Sequence, residues 1–544
     1  MASLDAHTQT ELNDITAKDF FFKNADLMAM TFSHLEIDES YRSLCNAALT
    51  CKDFVDAALD ALWEEMGSLV PLLKLLPALQ VKEEPYVCAN VHILLYYIYD
   101  LNFCLYQFLS GDVSQADWER LQYYSRKVKY FIAAPPDTHD PEVHPSTYIR
   151  IAQLQSSSPL FPSLRRLYYE LSDSRSISHI FLFLSPLLDS LELHDIGGFE
   201  NTIVGPFLAT LSSQILSRIV LHNGRMTTDN FKQSIVHFKQ LRSLELSDAV
   251  FMTDFVSWEV LGTLPSLANL TLKAMDPASH PAHAPENSNT QSGSPKYFVA
   301  LESLSVTGSF SLIQHLLGFI DSPWLKSINL YPVTTGSHVH FNHDHEPEEL
   351  FTPSIAIVAS KWSQSLNNLV ISASEFGDSP VQNYALSKCL KLLTGLHELQ
   401  TFQLKRWKMG NMEDDVKRLV MSWPKLKSLR LLPFNIKPFP LSTLRIIAES
   451  CPELRTLGIR LDTSTLPPFD TSTTKSLRHN LEVLKVGPSV TTQTSLDCQI
   501  HATRFLDLIF PYLKSIKIYR EDVHWSGISD LLRLCQNARQ VAEQ

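Results

Sequence analysis

Side chains that could bind a metal ion are concentrated in one segment of the sequence, GSHVHFNHDHEPEE, at residues 336–349. The potential ligands in it include four histidines and the two acids nearest to them: His338, His340, His343, His345, Asp344 and Glu346. Imidazole nitrogens suit zinc and nickel, but the spacing is not that of a structural zinc site, and a loop loses conformational entropy when it closes around an ion. We interpret the segment as a solvated loop, with a weak metal site as the alternative, and predict no metal and no cofactor.

The other reactive side chains form no pattern typical of an enzyme. The eight cysteines include no CxxC pair, and the closest two, Cys45 and Cys51, are six residues apart. Reduced thiols are therefore expected rather than a disulfide framework or a zinc site. Phosphate-binding glycine loops, nucleophile elbows and HExxH sequences are absent, and Gly197-Gly198 is typical of a turn. No spacing links Ser, His and Asp into a triad, so the sequence predicts a protein without catalytic activity.

The charge of the chain bears on the partners it can have. Its 46 Lys and Arg stand against 58 Asp and Glu, which gives a net charge of −12. This balance argues against nucleic acid and anionic membranes as partners, because both are bound by basic surfaces. The first residues, MASLDAHTQTELND, have neither a basic start nor an apolar run, so no secretory signal is predicted. The expected compartment is the cytoplasm or the nucleus.

One apolar segment, VCANVHILLYYIYDLNFCLYQFL at residues 87–109, is nearly long enough to span a bilayer. Asp100 and Asn102 lie near its middle, where polar groups are costly in lipid. We therefore favour a buried or partner-facing helix over a membrane span. An insertion foreign to the surrounding fold is the third interpretation.

A short strand pattern, L-x-x-L-x-L, returns throughout the C-terminal two-thirds of the chain. Its thirteen copies begin at Leu164, Leu188, Leu216, Leu241, Leu267, Leu301, Leu325, Leu366, Leu399, Leu426, Leu454, Leu481 and Leu513. The spacing is 24 to 34 residues, apart from one gap of 41. Positions four and six of each copy point to one side of a strand, whereas positions three, five and seven point to the other.

Helix-like stretches separate these strands, among them SLIQHLLGFI from Ser311, DDVKRLVMSW from Asp414 and LSTLRIIAES from Leu441. One strand–helix unit is too small to bury its own leucines, so the units must stack on one another. The pattern is that of leucine-rich repeats. It predicts an α/β solenoid with a parallel sheet on its concave side and helices on its convex side.

Two features depart from a regular array. The Asn or Cys expected three positions after the last Leu of a repeat is missing, so another group must satisfy that loop. The residues found there include Gly224, Ala249, Met275 and Phe434. Two polar segments, at residues 276–296 and 333–353, are predicted to be flexible loops inserted between repeats.

A small helical module is predicted at residues 20–67, after a flexible tail at residues 1–19. NADLMAMTFSHL has Asn24 at the N-cap position, and SYRSLCNAALTCKDFVDAALDALWEEM has apolar residues at helical spacing, broken by a turn near residues 50–52. Three short helices bury little surface by themselves and need a neighbour or a partner. A helical linker at residues 68–158 would join them to the repeats at residues 159–544.

The segment AALTCKDFVDAALDALWEEM resembles the second half of an F-box. The whole chain is similar to the F-box–leucine-rich-repeat proteins of mushroom-forming, basidiomycete fungi, in which segments like GSLVPLLKLLP, DWERLQYYSRKVKYF and SPLFPSLRRL follow in this order. The Leu-Pro that usually opens an F-box is absent, and Lys23-Asn24 stands near its place. The apolar insertion at residues 87–109 has no counterpart in that family.

The resemblance implies a substrate-receptor subunit of an SCF-type cullin–RING ubiquitin ligase, whose F-box docks on a Skp-type adaptor and whose repeats bind a protein substrate. Ubiquitin transfer would be performed by other subunits. The adaptor-facing residues that it implies are Leu27, Met30, Leu35, Leu44, Ala48, Cys51, Phe54, Leu59, Leu62 and Trp63. We expect the aromatic side chains of Phe54 and Trp63 to anchor the contact. Packing within the module is the alternative for each residue, and a repeat scaffold without a ligase is the alternative for the whole chain.

The strand pattern also assigns residues to the concave face. The first four repeats place a mixed set there: Arg166, Glu170, Glu192, His194, Arg218, His222 and Glu245. The middle repeats are rich in hydroxyl groups, and the last five are basic, with Lys405, Arg430, Arg460, Lys485 and Lys517. This basic stripe is a candidate substrate-binding surface for an acidic or phosphorylated segment, because arginine binds such groups with two hydrogen bonds. A merely solvated face is the alternative.

Overall fold

The structure is a computed structural model of the chain. It describes residues 24–33, 37–85, 103–133, 142–155, 158–171, 177–196, 201–211, 215–222, 228–247, 255–273, 296–333, 347–372, 387–405, 407, 412–432, 438–463, 477–487, 495–518 and 522–543. The chain divides into two compact units, Met1–Leu241 and Arg242–Gln544. Both contain parallel strands that alternate with helices.

Three helices form a small bundle at the start of the first unit: α1 (Ala25–Ser33), α2 (Ile37–Thr50) and α3 (Lys52–Glu64). The Asn24 side-chain oxygen accepts hydrogen bonds from the backbone N–H groups of Asp26 and Leu27, each at 3.1 Å, so α1 begins at the predicted N-cap. The core of the bundle consists of Met28, Phe32, Leu44 and Ala58. The predicted helical module is thus present.

The stretch that follows the bundle contains both strands and helices. In chain order it comprises β1 (Glu65–Met66), α4 (Val70–Leu73), β2 (Leu79–Pro85), β3 (Phe103–Leu109), α5 (Gln115–Ser125), β4 (Tyr130–Ile132), β5 (Glu142–Val143) and α6 (Pro145–Leu154). The linker at residues 68–158 is therefore not purely helical, contrary to the prediction. β1 begins directly after α3 and pairs in parallel with β4, so the chain enters the main sheet at the end of that helix.

The apolar segment at residues 87–109 ends in a strand. Its last seven residues, β3, pair antiparallel with β2 and parallel with β5, so the helix interpretation is wrong for them. Aromatic residues favour strands, and the pairing with β2 satisfies the backbone of FCLYQFL. Residues 87–102 lie outside the described residues. Within the described residues, no helix combines the length and the apolar character that crossing a membrane requires.

All thirteen predicted repeats have a strand at the expected place, and each unit is built as a leucine-rich-repeat solenoid. In the first unit these strands are β6 (Arg166–Glu170), β7 (Ser190–His194) and β8 (Arg218–His222). β4 pairs with β6, so this sheet begins two strands before the sequence pattern does. The strands are parallel and in register, as where Tyr168 lies opposite Glu192.

The second unit contains the other ten repeat strands. They are β9 (Ser243–Ser247), β10 (Asn269–Lys273), β11 (Ser303–Gly308), β12 (Ser327–Pro332), β13 (Asn368–Ser372), β14 (Thr401–Lys405), β15 (Ser428–Leu432), β17 (Thr456–Ile459), β19 (Val483–Val486) and β20 (Ser515–Ile518), while β16 (Phe439–Pro440) and β18 (Leu461–Asp462) form a separate pair. Leu426, Leu429 and Leu431, at positions one, four and six of a repeat, are at most 1% exposed. Positions three, five and seven alternate with them and form the open face of the sheet.

Helices connect the repeat strands. They are a 3₁₀ helix (Ile177–Phe183), α7 (Asn201–Leu211), α8 (Thr228–Ile235), α9 (Phe255–Gly262), α10 (Phe310–Phe319), α11 (Pro347–Lys361), α12 (Ser387–Leu393), α13 (Met412–Ser422), α14 (Ser442–Ser450), α15 (Leu496–Ile509) and α16 (Val523–Glu543). The three stretches predicted to be helical are confirmed as α10, α13 and α14.

One predicted loop is partly helical. α11 begins at Pro347, so the end of the loop predicted at residues 333–353 belongs to a helix. Phe351 and Ile355 are fully buried and anchor it, and proline suits the first turn of a helix. The histidine-rich part of that loop and nearly all of the loop at residues 276–296 lie outside the described residues.

Buried side chains link consecutive repeats in the second unit through what we term the carbonyl ladder. Its donor–acceptor pairs are Trp362 Nε1 to Ser322 O at 2.7 Å, Trp423 Nε1 to Leu393 O at 3.1 Å, Cys451 Sγ to Val420 O at 3.5 Å and His479 Nε2 to Cys451 O at 2.8 Å. Leu393 and Val420 lie in the last turns of their helices, and their carbonyls also accept the backbone N–H groups of Leu396 and Trp423. The ladder therefore adds a second hydrogen bond to helix ends, donated from the next repeat. The four positions where Asn is missing lie outside the described residues.

Candidate protein-binding surfaces

Two of the residues implied for adaptor binding are exposed. Leu27 and Met30 lie three residues apart on α1, so they share a face of that helix, and they are 36% and 58% exposed. Large apolar side chains at such exposure are suited to contact a partner. Leu35, which the resemblance also implies, lies outside the described residues.

The other residues implied for adaptor binding pack largely within the module. Leu44 is only 4% exposed and belongs to the bundle core, so it cannot form part of a contact surface as predicted. Ala48, Phe54 and Leu62 are partly buried against that core, and the Phe54 ring meets the Phe32 ring edge to face, with centroids 5.5 Å apart. Cys51 and Leu59 are half-buried.

Trp63, predicted as an interface anchor, packs against the linker. The centroid of its ring lies 4.9 Å from that of Tyr124 on α5. Polar contacts accompany this packing: Tyr123 Oη donates to Asp56 at 3.1 Å, Lys129 Nζ pairs with Glu64 at 3.1 Å and Lys127 pairs with Asp60. These contacts hold α3 against the linker, so one role of Trp63 is to position the module.

Sequence reasoning missed two exposed apolar residues of the module. Tyr41 and Leu49 on α2 are 53% and 85% exposed. They lie eight residues apart, with the exposed Cys45 midway, so all three share one side of the helix. The spacing of Tyr41, Cys45 and Leu49 is visible in the sequence. The core-forming face, which includes Leu44 and Ala48, gives the stronger apolar pattern in this helix, and it masks the exposed strip.

The five basic residues predicted on the concave face lie on the open face of the second unit, and we call them the basic face. Arg430 pairs in register with Gly458, which pairs with Lys485. Lys485 in turn lies opposite Lys517, so these positions form one row across four strands. Lys405 ends β14, and Arg460 directly follows β17. The sheet thus gathers charges that are separated by more than 100 residues in the sequence.

The charges of the basic face act on one another. The pKa of Lys485 is lowered by burial and then by the nearby charges of Arg430 and Lys517. Burial likewise lowers the pKa of Lys405, with further contributions from Arg430 and Lys485. Like charges at this separation repel each other, and the repulsion is relieved when an anionic group binds between them.

Two glycines leave room for the arginines of the basic face. A Cβ atom at Gly458 would lie 3.0 Å from Arg430 Cγ, and one at Gly487 would lie 3.3 Å from Arg460 Cγ. Both distances are shorter than ordinary van der Waals contact. Because the glycines have no side chain, each arginine can lie across the neighbouring strand.

Ion pairs with carboxylates lie at the turns that lead into these strands. Lys425 Nζ pairs with Glu398 at 2.6 Å, and Glu482 pairs with both Arg455 and Lys514. All of these residues precede the strand positions that form the open face. The acidic residues that offset positive charge are thus placed beside the basic face rather than within it.

Comparisons with known proteins add little to this picture. No family model matches the chain, and no curated protein matches it. Among solved structures, the chain is similar to that of the TLR13–ssRNA13 complex (15% identity, 74% of this chain, TM-score 0.35), of which it covers 58%. It is also similar to the Rad7 and Elc1 complex in yeast (13% identity, 76% of this chain and 85% of that one, TM-score 0.32) and to the leucine-rich-repeat-containing protein LegL7 from Legionella pneumophila (14%, 68% and 97%, TM-score 0.33). Identities this low concern the fold alone.

Proposed function

We propose that the chain is a protein-binding receptor whose helical module docks a Skp-type adaptor of an SCF-type cullin–RING ubiquitin ligase and whose repeats bind a protein substrate. The F-box-like sequence AALTCKDFVDAALDALWEEM spans the end of α2, all of α3 and the two residues of β1, and the remaining chain consists mainly of repeats. In this role the protein performs no chemistry of its own.

The observation that carries the adaptor contact is the exposure of Leu27 and Met30. The bundle buries Met28, Phe32 and Leu44 against α3, yet these two large apolar residues of α1 remain in contact with solvent. Because 36% of Leu27 and 58% of Met30 are still exposed, burying that remainder at an interface stabilises a complex by about 0.5–1.7 kcal/mol for each residue. Tyr41 and Leu49 on α2 offer a second apolar strip.

The basic face supports the substrate-binding half of the proposal. Its five cations lie on the open face of a parallel sheet, where backbone groups are paired and only side chains are available for recognition. Arginine and lysine in a row suit a glutamate-rich or phosphorylated segment. The net charge of the protein is −12, so most of its surface repels an acidic segment. The basic face is a place where local positive charge can attract one.

The test is co-purification of a Skp-type adaptor with the tagged full-length chain. Leu27→Glu combined with Met30→Glu is expected to abolish the association, because two charges would be placed in an apolar contact. Ile149→Glu is the matched control, since Ile149 on α6 is 57% exposed and lies outside the module. Thermal unfolding of each variant shows whether the fold is kept.

The outcomes separate this proposal from its alternative, a repeat scaffold without ligase association. If the native chain recovers no adaptor, the ligase role is refuted and the scaffold remains. If the double variant retains the adaptor while Tyr41→Glu with Leu49→Glu loses it, the contact lies on α2 instead of α1. The alternative, a scaffold without a ligase, has one observation in its favour: the contacts between α3 and α5 are those expected of a module that only caps the repeats.

A further inference from the structure

The open face of the first unit carries three potential metal ligands, Glu192, His194 and His222, which we call the His–Glu cluster. Glu192 and His194 occupy alternate positions on β7, and His222 ends β8. Leu193 pairs with Leu221, so the histidines that follow them are neighbours across the two strands. The potential ligand atoms of the three side chains all lie within 4.8 Å of one another.

Contacts between the side chains already hold the cluster together. His194 Nε2 lies 2.8 Å from Glu192 Oε1, and the ring centroids of His194 and His222 are 4.2 Å apart. The Tyr168 ring packs on His194, with a centroid distance of 4.7 Å. All three ligands are half-buried, so they keep a path to solvent while losing little further freedom when an ion binds.

The distances suit a small divalent ion. Tetrahedral zinc holds nitrogen and oxygen ligands at about 2.0–2.2 Å, which places the ligand atoms about 3.4 Å from one another. The ligand atoms lie within 4.8 Å of one another, so they need to approach by about 1.4 Å at most. The pairing of β7 with β8 holds the backbone beneath them, so side-chain rotation is the movement expected to close this gap.

The surrounding charges favour a cation at this place. Glu170 lies opposite His194 in the register of β6 and β7, and Asp195 directly follows His194 in the chain. Arg166, the base nearest in sequence on β6, has its guanidinium over the Tyr130 ring at 5.2 Å, at the other end of the strand. Two imidazoles beside this negative charge form a candidate site for a metal ion.

We propose that the His–Glu cluster binds a divalent transition-metal ion, zinc or a first-row neighbour, through two imidazoles and one carboxylate. Two histidines and one carboxylate are a zinc ligand set that leaves a fourth position for water or an exchangeable ligand. Here that position faces the open face, where a carboxylate or phosphate of a bound protein can occupy it. The site goes beyond the proposed adaptor contact and does not depend on it.

Zinc calorimetry on the metal-stripped full-length chain tests this proposal. The histidine-rich segment at residues 336–349 is a second possible ligand source, so the experiment uses a background in which His338, His340, His343 and His345 are replaced by Asn. In that background, His194→Asn is expected to abolish zinc binding. His237→Asn, which removes an exposed histidine of the same unit, is expected to leave it unchanged.

Two further measurements keep the result interpretable if His194→Asn disturbs the fold. Glu192→Gln preserves the shape of the side chain and is expected to weaken zinc binding. When cobalt replaces zinc in the native cluster, its visible spectrum is expected to indicate a low coordination number with nitrogen and oxygen ligands. The proposal is overturned if the four-Asn background binds no zinc, or if the His194 and Glu192 variants bind it as tightly as that background. In those cases the contact at 2.8 Å is a hydrogen-bonded pair and nothing more.

Discussion

The carbonyl ladder makes a quantitative prediction at Trp423. This residue is fully buried, its Nε1 donates to Leu393 O at 3.1 Å, and its ring lies 4.8 Å from that of Phe402. Trp423→Phe keeps an aromatic ring but removes one of two hydrogen bonds to Leu393 O, whose other donor is the Leu396 N–H at 3.1 Å, and this lowers the free energy of unfolding by about 0.5–1.5 kcal/mol. Trp423→Ala also opens a cavity, and the loss rises to about 3–5 kcal/mol.

Urea unfolding combined with hydrogen exchange measures both effects. Because each repeat contacts mainly its neighbours, the loss of exchange protection in Trp423→Phe is expected to be concentrated around α12, which carries the acceptor Leu393 O. Met421→Ala is the control: the residue lies two positions before Trp423, near the end of α13, but is 68% exposed, so its effect stays within about 0.5 kcal/mol. Unchanged protection of α12 in Trp423→Phe would refute the ladder as a source of stability.

Two further predictions concern pH and charge. Burial lowers the pKa of His479 from its ordinary value of 6.5, against a smaller raising effect of the bond to Cys451 O; no described residue accepts a hydrogen bond from its buried Nδ1. The stability that the neutral imidazole contributes is therefore present above pH 6.5 and is lost as the pH falls through the folded-state pKa. In the native protein the urea midpoint should drop between pH 7.5 and pH 5.5, and His479→Gln should make this drop smaller. An equal drop in the variant and the native protein would contradict the assignment. For the basic face, Lys485→Glu with Lys517→Glu should abolish salt-sensitive binding of a fluorescent glutamate-rich peptide, whereas Lys425→Glu should not; equal binding by all three proteins would leave the face merely solvated.

Periodicity was sufficient to predict the repeat strands because each needs only three buried positions at fixed spacing. Two earlier strands of the sheet, β1 and β4, follow the same rule in shortened form and are not predicted by the pattern. Val128 and Phe131, both at most 2% exposed, have the spacing of positions one and four, and so do Trp63 and Met66. Without leucine at these places, and with strands of two or three residues, the pattern is too short to distinguish from chance.

Side-chain interactions were harder to predict than strand positions. The pattern placed Glu192, His194 and His222 on one face but could not show that their polar atoms converge, since this depends on rotamers. The same holds for the carbonyl ladder, whose donors are chemically diverse. In the module, helical spacing identified apolar residues correctly but could not separate Leu44, which is buried, from Met30, which is exposed.

The direct passage from α3 into β1 has a consequence for any assembly built on this chain. Glu64 ends the helix, Glu65 begins the strand, and the Lys129 N–H donates to Glu64 O at 2.8 Å. A molecule bound to the bundle and another bound to the strands beside β4 would therefore keep a constant separation. Backbone pairing sets this distance, because no flexible linker joins α3 to the sheet.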